Sequence, residues 1–430
     1  MYKLFFLISI LIMVANTFSH PPPSSYDYGV HVESFRENQY LLQPIPQKLK
    51  GQIEYNPPLY YYIIGKSNHI IEEITRKIID PFYLARIIHI AIYISVVLMC
   101  VNLIPLVTKD KSVNSWSVVA LLTIPNIYLS QVMARADLLL LLFLTTLVYV
   151  WFKFDFSRTM PQSKMKILIW AVCLIGMANS RNFAIFAFII FFVWGATILI
   201  KSNLRKLFVV LLLIFIILGS GYFYAERFIE TGRILDQALE MPYFQKYENL
   251  QKNFDRRKLF FNVQFNKLFE TPNRFASFEE NNSFAPRFYG DMWGDHWLYF
   301  SGLPLKDNKV VFKRIILIAA IPFTLLYLFS PILYLFKSIK AFIKDRKFTL
   351  DNLAPTLFCT SLLLLTLFIY RQPEVGKNST IKFTYLIAFF WLPIFSMAKF
   401  LSNNPKIRKL FIYYNYVLYI ISIPLYIYWK

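Results

Sequence analysis

Long apolar runs separated by short basic segments dominate this chain. The runs at 207–224, 315–336 and 353–370 are long enough to cross a hydrocarbon core of about 30 Å, since a helix rises about 1.5 Å per residue. In lipid every backbone polar group has to be satisfied within its own segment, so these runs are predicted to be helices. The pattern therefore predicts an all-α, polytopic integral membrane protein.

Eleven such spans are predicted. The first is preceded by Lys3 and followed by three prolines, and its short apolar core fits either a cleaved signal peptide or a retained span; we favour the retained span. The predicted spans are 4–18, 83–107, 116–133, 138–152, 167–178, 183–200, 207–224, 315–336, 353–370, 381–400 and 410–428.

The charges between the spans predict the orientation. With a cytoplasmic N-terminus, all five inner loops are short and basic, as the positive-inside rule requires. Two long segments, 20–80 and 225–314, then face outward, and the first contains an amphipathic piece at 70–79 that suits the interface plane. We therefore expect three parts: an N-terminal transmembrane region (1–224), an extracytoplasmic insertion (225–314) and a C-terminal transmembrane region (315–430).

Composition supports a membrane protein and argues against nucleic acid as a partner. Hydrophobic residues make up 57% of the chain and charged residues 17%, with a formal charge of +21. The lysines and arginines lie in short loops between apolar runs. There they would orient the chain in the bilayer and attract anionic lipid head groups. Cys100, Cys173 and Cys359 lie inside apolar runs, so they are interpreted as packing residues.

Polar residues beside the spans gather on the predicted outer side, where Arg135 and Asp137 form one corner and Arg181 lies at another. Charged groups near the membrane are costly and are therefore candidates for function. The inner loops offer mainly basic residues, so any chemistry is expected outside.

Several short motifs together resemble the membrane-embedded glycosyltransferases of the C-type (GT-C) fold. They are Asp27 after the first span, the stretch 54–61 (EYNPPLYY), Arg86 at the head of the second span, the corner 134–138 and the outer segment 288–297. The pattern is most similar to the group that includes protein O-mannosyltransferases and the lipid A aminoarabinose transferase. The chain departs from that group in having Asn56 where histidine is usual and a single Asp27 where an acidic pair is common.

This resemblance implies an activity. A hexosyl or pentosyl group would pass, with inversion, from a polyprenyl-phosphate donor to an extracytoplasmic glycan, lipid or protein hydroxyl of the cell envelope. Asp27 would be the general base, since partial desolvation at the membrane boundary raises the pKa of a carboxyl group.

The plasma membrane of a bacterium is the favoured location, and the endoplasmic reticulum membrane is expected if the host is eukaryotic.

Other residues receive candidate roles with alternatives left open. Arg135, Arg181, Arg371 and Lys382 could bind the departing phosphate, or each could merely extend its cation to the head-group level. Asp137 is either catalytic or an ion-pair partner of Arg135 at the start of the fourth span.

The remaining candidates concern the acceptor or sugar. We expect 57–62 to be a rigid extended segment followed by interfacial tyrosines. Trp293 either stacks on a sugar or packs in the insertion. His31 together with Glu33 or His296 could hold a divalent metal, but their spacing matches no known ligand set, so no metal ligands are assigned. The candidate contacts are His31, Glu54, Tyr60, Trp293, Asp295 and His296.

Rival functions remain. A transporter or flippase of lipid-linked sugars would be expected to show broken helices at mid-membrane and internal repeats. A glycan polymerase or ligase would need outer arginine and histidine residues but not Asp27, and a non-catalytic scaffold would need none of them.

Overall fold

The computed structural model describes residues 2–24, 28–39, 57–156, 160–231, 255–261, 265–270, 283–294, 307–345, 349–371 and 383–428. Every regular element in these ranges is helical, which confirms the all-α class. The α-helices are α1 (Tyr2–Ser19), α2 (Tyr28–Glu37), α3 (Leu59–Thr75), α4 (Pro81–Leu103), α5 (Lys111–Leu122), α6 (Asn126–Val132), α7 (Ala136–Lys153), α8 (Lys164–Ala178), α9 (Ile185–Ile200), α10 (Lys206–Thr231), α11 (Lys258–Phe261), α12 (Phe265–Glu270), α13 (Phe284–Trp293), α14 (Asp307–Ala319), α15 (Ile321–Asp345), α16 (Leu350–Arg371), α17 (Leu392–Asn403) and α18 (Pro405–Tyr426).

Seven helical stretches in the described ranges are long and apolar enough to cross a membrane, which makes the chain a multi-pass membrane protein. On α10 large apolar side chains point outward, with Leu207 71% and Leu218 66% exposed. Such a surface is unfavourable in water and stable against lipid. The seven stretches are Tyr2–Ser19, Pro81–Leu106, Ala136–Lys153, Asn182–Ile200, Lys206–Ile229, Val311–Ser338 and Leu350–Tyr370.

The other four predicted spans take different forms. The run 116–133 is divided between α5 and α6, and 167–178 lies in α8, which has 15 residues. The run 381–400 contains a 3-10 helix, Phe383–Phe389, followed by α17, and 410–428 lies in α18. Eleven crossings therefore remain a prediction.

The break between α5 and α6 follows from Pro125, which has no N–H to continue the helix. Buried tyrosines satisfy the carbonyl groups that the break releases: the hydroxyl of Tyr128 donates to the Leu122 carbonyl (3.0 Å), and that of Tyr426 donates to the Thr123 carbonyl (2.7 Å). Irregular backbone is tolerated at membrane depth when protein groups satisfy it in this way.

The chain forms two compact units, and the first consists of Met1–Tyr26, Cys100–Met133 and Pro242–Lys430. Polar contacts hold α1 inside it. Asn16 Nδ2 donates to the Tyr426 carbonyl (2.7 Å), and the Ser9 hydroxyl lies 2.7 Å from that of Tyr419 and 2.8 Å from that of Tyr128. The helix α1 therefore buries a polar face within the first unit.

The second unit consists of Asp27–Met99 and Ala134–Met241. Within it α2 lies directly against α3 at Gly65, where an added Cβ would come within 2.0 Å of the Phe35 carbonyl oxygen. The predicted boundaries at 224/225 and 314/315 fall inside α10 and α14, so the three-part division stays a prediction.

The expectation for residues 57–62 was wrong. Instead of continuing as an extended segment, the chain enters α3 at Leu59, directly after Pro58, whose φ of −79° suits a helix start. Tyr60 and Tyr61 are buried, 2% and 3% exposed, rather than interfacial. The amphipathic piece 70–79 begins as the last turns of α3, and its isoleucines at 70, 74 and 78 are exposed.

Candidate functional site

Six polar side chains of the second unit form what we call the Arg–His cluster. The helix α2 contributes one member, α3 two, and the chain segments at the start of α7 and after α8 the others. The members are His31, Tyr60, Tyr61, Arg135, Asp137 and Arg181. Apolar side chains at the N-terminal ends of α4 and α7, among them Phe82 and Ala136, pack with the tyrosines of α3 and fix these elements together.

Asp137 and Arg181 form an ion pair within the cluster. The Arg181 Nε–H donates to Asp137 Oδ1 at 2.8 Å, and the two side chains are 14% and 2% exposed. Asp137 lies in the first turn of α7, where the helix dipole favours a negative charge. From the sequence alone, Arg135 was the expected partner for this carboxylate.

The corner that carries Arg181 is held by Asn179. Its carbonyl accepts the Leu59 N–H (3.3 Å) at the start of α3, and its side-chain amide donates to the Gly219 carbonyl (2.8 Å) of α10. Arg181 then follows in extended conformation, with φ −158° and ψ 140°. Three elements of the second unit are therefore joined at the base of this side chain.

His31 lies in the cluster as an uncharged ring. It is 8% exposed, stacks on Tyr61 with 5.9 Å between ring centroids, and its Nδ1 is 3.4 Å from the Tyr61 hydroxyl. Burial, together with the nearby Arg135 and Arg181 guanidinium groups, lowers the pKa of His31 to about 3. At neutral pH the ring is therefore available as a hydrogen-bonding group that adds no charge.

The charges of the cluster favour an anion. The cluster contains two guanidinium groups, Arg135 and Arg181, and one carboxylate, Asp137, while His31 stays neutral, so the ionisable members named here sum to one positive charge. Guanidinium groups match the geometry of phosphate and carboxylate oxygens. Among the described residues there is no group of three histidine, cysteine or acidic side chains that could hold a metal ion.

Several predicted site residues fall elsewhere. Trp293 is 1% exposed in the first unit, where its indole N–H donates to Thr324 Oγ1 (2.7 Å) and its ring meets Phe323 edge-on. This favours the packing alternative for Trp293. Arg371 ends α16. The residues outside the described ranges are Asp27, Glu54, Asp295, His296 and Lys382.

Two site residues were missed by the sequence analysis. Tyr61 forms the wall on which His31 stacks, and His89 of α4 lies 3.0 Å from the Tyr60 hydroxyl through its Nε2. A histidine inside an apolar run was the available signal for His89, because ionisable groups in spans are costly.

Comparison of the chain with protein-family models, with curated proteins and with solved structures finds no match.

Proposed function

We propose that this chain is a membrane-embedded glycosyltransferase of the GT-C type, which transfers a hexosyl or pentosyl group from a polyprenyl phosphate to an extracytoplasmic acceptor. The observation that carries the proposal is the Arg–His cluster, in which Arg135 and Arg181 lie beside the neutral ring of His31. The sequence motifs that resemble this family include members of the same cluster, Tyr60, Arg135 and Asp137.

The chemistry uses the excess positive charge. The acceptor oxygen forms a bond to the anomeric carbon while the bond from that carbon to the phosphate oxygen breaks, and polyprenyl phosphate leaves with the electron pair. Fixed donors that meet the developing charge without reorganising lower the barrier, and Arg135 and Arg181 would supply them. The acceptor proton would pass to Asp27, the residue directly before α2 in the chain.

Contacts within the second unit support additional membrane-spanning segments beyond the seven long apolar helical stretches. His31 precedes the spanning helix α4, yet it interacts with Arg135, which follows α4 in the chain. If α4 crosses the bilayer, the segment 107–134 has to return to the starting side, so α5 and α6 together act as a span. Arg181 follows the spanning helix α7 and pairs with Asp137, which lies at the start of α7, so the chain would have to cross back through α8; this contact supports α8 as a further span.

A second candidate, a transporter of lipid-linked sugars, is favoured by one observation. The predicted spans 116–133 and 381–400 are both discontinuous, and broken helices are common at transporter binding sites. At the first break, however, Tyr128 and Tyr426 occupy the carbonyl groups that would otherwise bind cargo. We therefore prefer the transferase.

The test is turnover by the full-length protein in proteoliposomes. A panel of radiolabelled polyprenyl-phosphate sugars is offered with extracted envelope acceptors, and labelled product is measured. Substituting Asp27→Asn is expected to lower turnover at least ~100-fold, since a general base contributes about that much. Glu37→Gln, an exposed carboxylate on α2, is the matched control.

The outcomes separate the candidates. Product formation that depends on Asp27 supports the transferase. Label that crosses the bilayer while its sugar stays on the carrier supports the transporter, and turnover that survives Asp27→Asn removes the base assignment.

A further inference from the structure

We infer that Tyr60 and His89 act as a buried positioning pair, which fixes the backbone of Arg135 so that its guanidinium group meets the phosphate of the polyprenyl carrier. The inference rests on the proposed function and deepens it. It gives Tyr60 a different role from the sugar contact suggested by the sequence, and it gives His89 a role for the first time.

The geometry links three elements of the second unit through one hydroxyl group. The Tyr60 hydroxyl lies 3.0 Å from His89 Nε2 and accepts the backbone N–H of Arg135 at 3.2 Å. The rings of Tyr60 and His89 are stacked, with centroids 5.8 Å apart and planes 17° from parallel. Tyr60 is 2% and His89 0% exposed, so water does not compete for these bonds.

The direction of the bonds follows from the donors and acceptors available. A tyrosine hydroxyl has one proton, and here its oxygen already accepts from Arg135. That proton can be donated to Nε2 of His89, 3.0 Å away, in the tautomer of the neutral ring that carries its hydrogen on Nδ1. A histidine at this depth is costly to bury, and hydrogen bonding to Tyr60 offsets part of that cost.

The backbone position of Arg135 determines where its side chain lies relative to the ion pair of Asp137 and Arg181. It is the residue before α7, in extended conformation with φ −134° and ψ 102°, and its backbone N–H has no partner within that helix. Asp137, two residues later, holds Arg181. One hydroxyl group therefore defines where the first arginine of the cluster leaves the backbone, next to the ion pair that contains the second.

A direct sugar contact fits the structure less well. Tyr60 is enclosed by Phe35 and Tyr61, whose rings lie 5.8 and 5.3 Å from its own, and its hydroxyl already contacts His89 and the Arg135 backbone N–H. A ligand would have to displace one of these bonds to reach it.

The test measures binding of radiolabelled polyprenyl phosphate to the full-length protein in lipid nanodiscs. Tyr60→Phe keeps the ring and removes the hydroxyl, and it is expected to raise the Kd about tenfold, the effect of one hydrogen bond near 1.4 kcal/mol. Tyr62→Phe, the same change on a half-buried neighbour, is the control and should leave the Kd unchanged.

A double-mutant cycle separates positioning from direct contact. In an Arg135→Ala background, Tyr60→Phe should have no further effect on the Kd, because the side chain that it positions is gone. Additive losses would overturn the inference, since they would mean that Tyr60 meets the ligand itself.

Substitution of His89 provides a second route, should Tyr60→Phe fold poorly. His89→Leu is expected to raise the Kd as Tyr60→Phe does, while His89→Gln retains an acceptor near the Nε2 position and should restore most of the binding. An equal rise in Kd for His89→Leu and His89→Gln would contradict the inference. A wild-type protein that binds no polyprenyl phosphate would overturn the proposed function and this inference with it, whereas wild-type binding with an additive cycle removes the inference alone.

Discussion

The Arg181 Nε–H donates to the Asp137 carboxylate at 2.8 Å and thereby joins the corner after α8 to the first turn of α7. The two residues are 44 positions apart in the chain. Asp137 is 2% exposed and Arg181 14%, so bulk water screens this ion pair only weakly. The pair fixes one of the two arginines of the Arg–His cluster.

Removing the charge of only one partner of this ion pair should strongly destabilise the folded protein. Arg181→Gln leaves the Asp137 charge buried without compensation, at a cost of about 3–5 kcal/mol. In the double variant Asp137→Asn/Arg181→Gln the uncompensated charge is absent, so the loss should be smaller than for the single variant. Thermal unfolding of the purified protein in detergent measures both.

The exposed pair Asp255 and Arg257 of the first unit provides the control. Arg257→Gln should leave the unfolding temperature unchanged, since exposed ion pairs are screened by water and salt. A double variant less stable than Arg181→Gln would show that the buried pair does not act as a unit.

Gly65 should tolerate no larger residue. In Gly65→Ala the added Cβ would come within 2.0 Å of the Phe35 carbonyl oxygen, so α2 has to move away from α3 and take His31 with it. We expect a loss of about 1–3 kcal/mol in stability and faster proteolysis at α2. Gly221→Ala on α10, where nothing lies within 4 Å of the new Cβ, is the control and should be neutral or stabilising. Equal unfolding temperatures for the two variants would mean that α2 does not depend on this contact.

His31 should make the protein sensitive to acid. Its pKa is about 3 in the folded protein against an ordinary value of 6.5, so between these values acid protonates the unfolded chain and not the folded one. Stability is therefore full above about pH 7 and falls as the pH drops from 6.5 toward 3, by up to ~1.4 kcal/mol per pH unit. Unfolding measured at pH 7 and pH 5 should show a smaller acid loss in His31→Gln than in the wild type. Identical losses in the two proteins would contradict a neutral, buried His31.

Much of the fold could be predicted from hydrophobic runs, because run length and the bilayer together determine a spanning helix. The predicted spans 83–107 and 138–152 correspond to α4 and α7 within a few residues. The run 116–133 is predominantly apolar, yet it contains a break at Pro125. Hydropathy alone does not register that break, since apolar residues continue on both sides of it.

The candidate site was predicted in its residue types more than in its contacts. The costly charges at Arg135, Asp137 and Arg181 were visible as polar corners between apolar runs. Their pairing was not, because a contact between two corners depends on how α7 and α8 pack and not on spacing in one sequence. The start of α3 was also missed, since a proline pair suits an extended segment as well as the first turn of a helix.

Cysteine labelling can decide whether α5 and α6 together cross the membrane. In a variant without Cys100, Cys173 and Cys359, single cysteines replace the exposed residues Glu33, Lys109 and Lys153. A membrane-impermeant maleimide added to oriented vesicles should label Glu33→Cys from the outside only. Lys109→Cys and Lys153→Cys should react only from the inside.

The labelling of Lys109→Cys and Lys153→Cys together shows whether α5 and α6 cross the membrane. Lys109 lies before α5 and Lys153 at the end of the spanning helix α7. Both lie on the inner side only if the chain crosses once more between them, in the segment that contains α5 and α6. Labelling of Lys153→Cys from the opposite side to Lys109→Cys would mean that this segment does not cross. The interactions of His31 with Arg135 and Arg181 would then place polar groups from both sides of the bilayer in one cluster, and an outward-facing transfer site would have to be abandoned.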